Sequence, residues 1–151
     1  MKKIEAAQPY AAAFLLIKRG DQYLFVRRAH TSWMDGYYGL PSGKVEPGEG
    51  FFAAAIREAK EEVGVTVRPE NTTFRLVYWL QNKEEPDVEW CNVVFFAEEW
   101  EGEPYNAEPH MHDEVAWFRM SELPHNVIPS VRSMLEAIER GEPYGEYRVA
   151  K

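Results

Sequence analysis

Apolar and polar positions alternate along the chain in segments short enough to name one by one. Apolar runs at 10–18 and 23–27 are separated by Arg19, Gly20, Asp21 and Gln22, and the glycine and aspartate supply turn chemistry, so the pattern predicts a β-hairpin. Over 30–50 the chain carries Gly36, Gly39, Pro41, Gly43, Pro47, Gly48 and Gly50, a density that excludes a long helix or strand. Connections of that length in a compact domain are usually functional. A helix is expected from Phe51 to Val63, closed by Gly64. At about 100° per residue, Phe52, Ile56, Ala59 and Val63 form one stripe expected to pack on a sheet. Glu58, Glu61 and Glu62 fall on roughly the opposite arc, beside Ala54 and Ala55. Strand patterns return at 73–81 and 89–97, linked by the polar stretch 82–87, and again at 114–119. Ser121 is placed to cap a short turn. Pro129 fits the first turn of a last helix through about residue 140, with Val131, Met134, Leu135 and Ile138 at helical spacing and Gly141 as its stop. Residues 142–151 read as a tail.

This order is mixed, not alternating, and predicts an α+β fold with a mixed β-sheet between helices, built as a single domain over residues 1–151. Composition agrees: 45% hydrophobic and 14% aromatic residues in a 151-residue chain suffice for a core without disulfides. The net charge of −8 disfavours partners bound through a broad basic surface, namely duplex DNA, RNA backbone and anionic membranes. An anionic substrate would need cations as intermediaries. The lone Cys91 has no disulfide partner and no zinc-type spacing; with Trp90 and Val93 beside it, it reads as a structural thiol on a strand in a reducing cytoplasm. The apolar run 11–17 near the N-terminus is broken by Lys18 and Arg19 and leads into the next strand pattern, so it is not read as a signal peptide. No stretch approaches the roughly 18 apolar residues of a membrane helix.

Three carboxylates within five residues, Glu58, Glu61 and Glu62, call for an explanation, because like charges three or four apart on a helix repel by a few tenths of a kcal/mol. A solvated acidic face is one reading and a divalent cation is the other. Positions i, i+3 and i+4 share a face, so these side chains can present oxygens to one point or two neighbouring points. Mg²⁺ prefers such oxygen ligands and often combines one or two carboxylates with substrate phosphates.

The stretch 43–65, "GKVEPGEGFFAAAIREAKEEVGV", resembles the signature of the Nudix (MutT-like) hydrolases, G-x5-E-x7-R-E-U-x-E-E-x-G-U, where U is a bulky aliphatic residue. Gly43, Glu49, Arg57, Glu58, Glu61, Glu62, Gly64 and Val65 are in register, and only Ala59 departs, at the first U. The preceding hairpin, the Gly39-Leu40-Pro41 run and the segment from Trp117 to Pro124 are similar to family features as well. The resemblance implies an α/β/α sandwich and hydrolysis of a nucleoside diphosphate linked to a further group, with Mg²⁺ as cofactor and Mn²⁺ as a substitute. It implies metal ligands at Glu58, Glu61, Glu62 and the Gly43 carbonyl, and an Arg57–Glu49 pair that locks loop to helix, with Gly64 as the helix stop. Glu61 is the first choice of general base, with Glu58 and Glu62 as alternatives. A further acid is expected in the loop before the Trp117-Phe118 strand: Glu114, with Asp113 as its rival.

The expected substrate is a small nucleotide, foremost a (deoxy)nucleoside triphosphate, oxidised or otherwise noncanonical forms included. The alternatives are a nucleotide sugar, a dinucleotide, an RNA 5′ end, or a sensor that binds without turnover. Candidate substrate-binding residues are Arg27, Trp33, Tyr37, Asn126 and Ser130, with Tyr38 and Arg28 beside them. An outward strand charge is the safer reading of either arginine. His110 and His112 are spaced like strand-borne ligands, but no neighbouring His or Cys completes a zinc set, so both read as loop histidines. A monomer or a homodimer suits the chain.

Overall fold

The computed structural model describes residues 5–81 and 87–148. The turn predicted over 82–87 lies outside the described residues except for Asp87, as does the end of the predicted tail, 149–151.

Strands β1 (Tyr10–Arg19) and β2 (Gln22–Arg28) form the predicted hairpin, but they pair only beside the turn, Lys18 with Tyr23 and Arg19 with Gln22. Beyond that point they diverge into two limbs. In one limb β1 is paired in parallel with β6 (Glu89–Ala97) and antiparallel with the short β4 (Ser42–Lys44). Strand β5 (Thr72–Gln81) continues this limb antiparallel to β6. In the other limb β2 lies between β3 (Tyr38–Gly39) and β7 (His112–Arg119), antiparallel to both.

The segment expected to be a tail carries strand β8 (Tyr144–Tyr147), paired in parallel with β5 from Val77↔Tyr144 to Leu80↔Tyr147. At Gly145 a Cβ would lie 2.8 Å from the ring of Tyr78, itself 1% exposed, so this strand packs as closely as a glycine allows. Its four residues are half-buried or exposed, and so carry no apolar pattern for a sequence reading to find.

Helices α1 (Phe51–Val63) and α2 (Pro129–Glu139) cover opposite sides of the sheets. Ala13, Leu15, Ile17, Val93, Phe95 and Ala97 pack with α1, while Leu16, Leu76, Tyr78, Val94 and Phe96 pack with α2. Each fully buried leucine, isoleucine or phenylalanine contributes about 1.5–3 kcal/mol of transfer free energy. The result is the expected mixed sheet between helices.

The buried face of α1 is rotated from the predicted stripe. Ala54, Ala55, Ala59, Glu62 and Val63 are buried, whereas Phe52 is 37% exposed and meets Phe95 in a T-shaped contact, at 5.2 Å between ring centroids. Small side chains let the helix backbone approach the sheet, where a phenylalanine would hold it off. Glu62 thereby leaves the predicted polar arc and turns inward, with 7% of its surface exposed. Gly64 ends the helix as expected: at φ +71° it is left-handed, and its N–H donates to the Lys60 carbonyl.

Candidate active site

The glycine-rich connection brings β4 beside β1, with Gly43 opposite Ala13 and Lys44 opposite Ala12, directly beneath α1. The Glu58 carboxylate sits against Gly43 so closely that a Cβ there would be 2.0 Å from Oε1. Glu62 Oε2 accepts the backbone N–H of Ser42 at 3.2 Å. Arg57 ties this edge together. Its Nε and Nη2 donate to the two oxygens of Glu49 at 2.8 and 2.9 Å, and Nη2 also donates to the Lys44 carbonyl at 3.1 Å. Its Nη1 reaches Glu58 Oε1 at 2.9 Å and Glu61 Oε2 at 3.1 Å. A two-pronged guanidinium–carboxylate pair fixes orientation as well as charge, so loop and helix are held in one register.

The carboxyls respond in opposite directions. The Arg57 guanidinium and the Glu46 N–H pull Glu49 down to about 2. Burial pushes Glu58 up to about 7, against the pull of Arg57 and with the charges of Glu61 and Glu108 adding to the rise. Burial and the Glu58 charge push Glu62 well above the ordinary carboxylate range. Arg57 beside Glu58 and the weaker pull of Arg28 on Glu62 leave these buried acids under-compensated, and this is the donor set a hard divalent ion suits. Among the described residues no three such groups are already drawn together as ligands, and Arg57 Nη1 occupies an oxygen of Glu58 and one of Glu61. Glu58, Glu61, Glu62 and the Gly43 backbone fit a Mg²⁺ ion in chemistry, as hard oxygen donors along one edge of the cleft.

These residues form one rim of a cleft of about 800 Å³. Arg28 and Lys44 supply cations, and Phe14, Trp33, Trp90 and Ile128 supply apolar walls. Arg28 is braced by hydrogen bonds to the Trp33 carbonyl at 2.9 Å and the Thr31 hydroxyl at 3.0 Å, and lies 5.0 Å over the Trp33 ring. The supporting loop holds His30, Ser32 and Met34 at positive φ, a strained path of the kind that clusters at binding sites.

Of the predicted residues, Gly43, Glu58, Glu61, Glu62, Trp33 and Ser130 line the cleft, with Arg57 and Glu49 bracing its rim. Six others are placed elsewhere. Arg27 points away from Arg28 across the strand and pairs with Asp113 at 2.7 Å and Glu114 at 3.1 Å. Glu114 also accepts the Tyr38 hydroxyl, so both loop-acid candidates are neutralised outside the cleft. Asn126 donates to the Gly36 carbonyl at 2.8 Å and braces the loop, and Tyr37 is exposed at its edge. Tyr38 belongs to the core.

The acid of that loop that does line the cleft is Glu108, whose charge raises both Glu58 and Glu62. Sequence reasoning passed over it because Asp113 and Glu114 stand nearer the Trp117-Phe118 strand. It also passed over Lys44 and Asn92; and His112, expected as a loop histidine, is instead the first residue of β7 and, like Asn92, a buried polar residue in the cleft wall. A polar residue at an inward position of an otherwise apolar strand was the available signal for Asn92. The exposed His110 lies 4.0 Å from Glu108.

The NUDIX domain profile matches residues 7–138. The chain is 32% identical over 108 residues to the 8-oxo-dGTP diphosphatase of Escherichia coli K12, covering 72% of this chain and 76% of that enzyme. It is 30% identical over 120 residues to the NAD-capped RNA hydrolase NudC of Stutzerimonas stutzeri, covering 80% of this chain but 39% of that protein. Among solved structures, a MutT NUDIX hydrolase from Burkholderia pseudomallei superposes with a TM-score of 0.77 at 29% identity, over 86% of this chain and 98% of that one. The chain therefore belongs to the Nudix family of MutT-like hydrolases, whose members generally use a divalent metal.

Proposed function

We propose that the protein is a Mg²⁺-dependent pyrophosphohydrolase that converts a (deoxy)nucleoside triphosphate to the monophosphate and pyrophosphate. The observation that carries this reading is the pairing, in one cleft, of an acidic rim with an aromatic, apolar interior. The rim suits the phosphates through a cation, and the interior suits a base. Glu58, Glu61, Glu62 and the Gly43 carbonyl would hold the metal. When bound, a divalent ion neutralises phosphate oxygens and makes water a stronger acid. Glu61, half-exposed at the rim, takes the proton of the attacking water, and Arg57 holds its carboxylate in position. Arg28 and Lys44, which line the same cleft, orient the phosphates, and Trp33 gives the base an apolar wall.

Similarity to the E. coli 8-oxo-dGTP diphosphatase over most of both chains favours triphosphates, oxidised ones included. Similarity to NudC keeps a dinucleotide or a capped RNA end as the second reading. Chromatography of products after incubation with triphosphates, nucleotide sugars and dinucleotides separates the two. Monophosphate plus pyrophosphate from a triphosphate is the expected result. Cleavage of dinucleotides alone would replace the first reading by the second.

A further inference from the structure

Among the described residues three buried side-chain polar atoms lack a hydrogen-bond partner: Trp33 Nε1, Asn92 Oδ1 and His112 Nδ1. All three residues line the same cleft, although they come from a loop, from the middle of β6 and from the first position of β7. Buried polar atoms are nearly always paired, so three orphans converging on one cavity mark a place built to meet something polar.

Asn92 is the most deeply set, at 1% exposure. Alternation along β6 turns Val93, Phe95 and Ala97 toward α1, and Val94 and Phe96 toward α2. Asn92 shares the second face, where valine or leucine would complete an apolar surface. An amide at that position destabilises the free protein unless a partner arrives. Its place in the sheet is informative too. Asn92 pairs with Ala12 on β1, and Ala12 pairs on its other side with Lys44, next to the Gly43 rim. Two interstrand steps, about 10 Å, therefore separate the phosphate end of the cleft from the amide, a span that a nucleoside covers.

We infer that Asn92 reads the edge of the substrate's base, and that Trp33 Nε1 and His112 Nδ1 complete a polar frame around it. The inference rests on the nucleotide reading above. An amide offers an acceptor beside a donor and pairs in two-pronged fashion with a base edge that carries one of each. The ligand class is a nucleobase presenting that donor–acceptor pair. Trp33 is held for the task by Arg28 over its ring and at its carbonyl. His112 is kept neutral by burial and by the Arg28 charge, so its Nδ1 is free to accept or donate.

Equilibrium binding to the metal-free protein tests this apart from hydrolysis. Nucleoside monophosphates of each base and ribose 5-phosphate are titrated into wild type, Asn92→Leu and Asn92→Asp, each checked by thermal melting. Wild type should prefer one base over ribose 5-phosphate by tenfold or more. Asn92→Leu should lose about 10- to 100-fold of that preference, keep its affinity for ribose 5-phosphate, and melt a few degrees higher. Asn92→Asp, which only accepts when ionised, should reorder the bases. Equal base preference in wild type and Asn92→Leu, or no base preference in wild type, overturns the inference. If Asn92 governs base binding but no nucleotide is hydrolysed, the inference stands and the pyrophosphohydrolase reading fails. If hydrolysis proceeds and Asn92→Leu leaves base selection unchanged, the inference alone fails.

Discussion

Replacing Gly43 with alanine adds one methyl group at the point where the signature loop touches α1. Its Cβ would lie 2.0 Å from Glu58 Oε1 and 2.2 Å from Cδ, whereas ordinary contact begins near 3.4 Å. The carboxylate must retreat by about 1.4 Å, the difference between those two distances. Misplacing a reacting group by about 1 Å costs on the order of 100-fold in rate, or about 2.7 kcal/mol of transition-state stabilisation. Folding should suffer far less, since Gly43 does not have a left-handed φ and the group displaced is the end of a flexible side chain. Gly43→Ala should therefore melt about as wild type does, while kcat/KM falls roughly 100-fold and the Mg²⁺ requirement rises. The control is Gly43→Ala combined with Glu58→Ala: with the carboxylate gone, the methyl group should add nothing further. Retention of activity within twofold by Gly43→Ala, or full multiplicativity in the double variant, would refute the reasoning.

Arg57→Lys cannot span Glu49, Glu58, Glu61 and the Lys44 carbonyl at once; kcat/KM should fall about tenfold or more, and the Glu49 carboxyl, now near 2, should titrate closer to 4.5 by NMR. His112 is buried with its pKa pushed down from 6.5 to about 4, so protons favour the unfolded chain: stability is full above pH 6.5 and declines by up to about 3 kcal/mol as pH falls toward 4. Denaturant melts at stepped pH should show this decline in wild type and a flatter profile in His112→Gln. Gly145→Val drives a side chain into the buried ring of Tyr78 and should destabilise by about 1–3 kcal/mol, read as a lower melting temperature with kcat/KM per folded molecule unchanged.

Local rules were enough for the hairpin, for both helices and for the stop at Gly64, because turn glycines and helical spacing act over a few residues. The spacing of Gly43, Glu49, Arg57, Glu58, Glu61 and Glu62 likewise exposed the rim, since those positions meet through one loop and one helix. What escaped depends on distant partners. Strands β3 and β4 are two and three residues long and exist only because β2 and β1 lie beside them. The inward turn of Glu62 follows from alanines seating α1 close to β1, which a helical wheel weighted by hydrophobicity ranks below Phe52. Glu108 and Glu114 look alike in sequence, and only the pairing of β2 with β7 shows that Arg27 has already claimed the second.

Metal dependence is the most direct test of a site that meets its substrate through a cation. Pyrophosphate release from nucleoside triphosphates should be followed at stepped Mg²⁺ and with chelator, for wild type, Glu61→Gln and Glu62→Gln. The acidic rim predicts turnover that vanishes with chelator and falls at least 100-fold in both variants, within the range of single-group losses at preorganised sites. Turnover that survives chelation, or is equal in all three proteins, would contradict it.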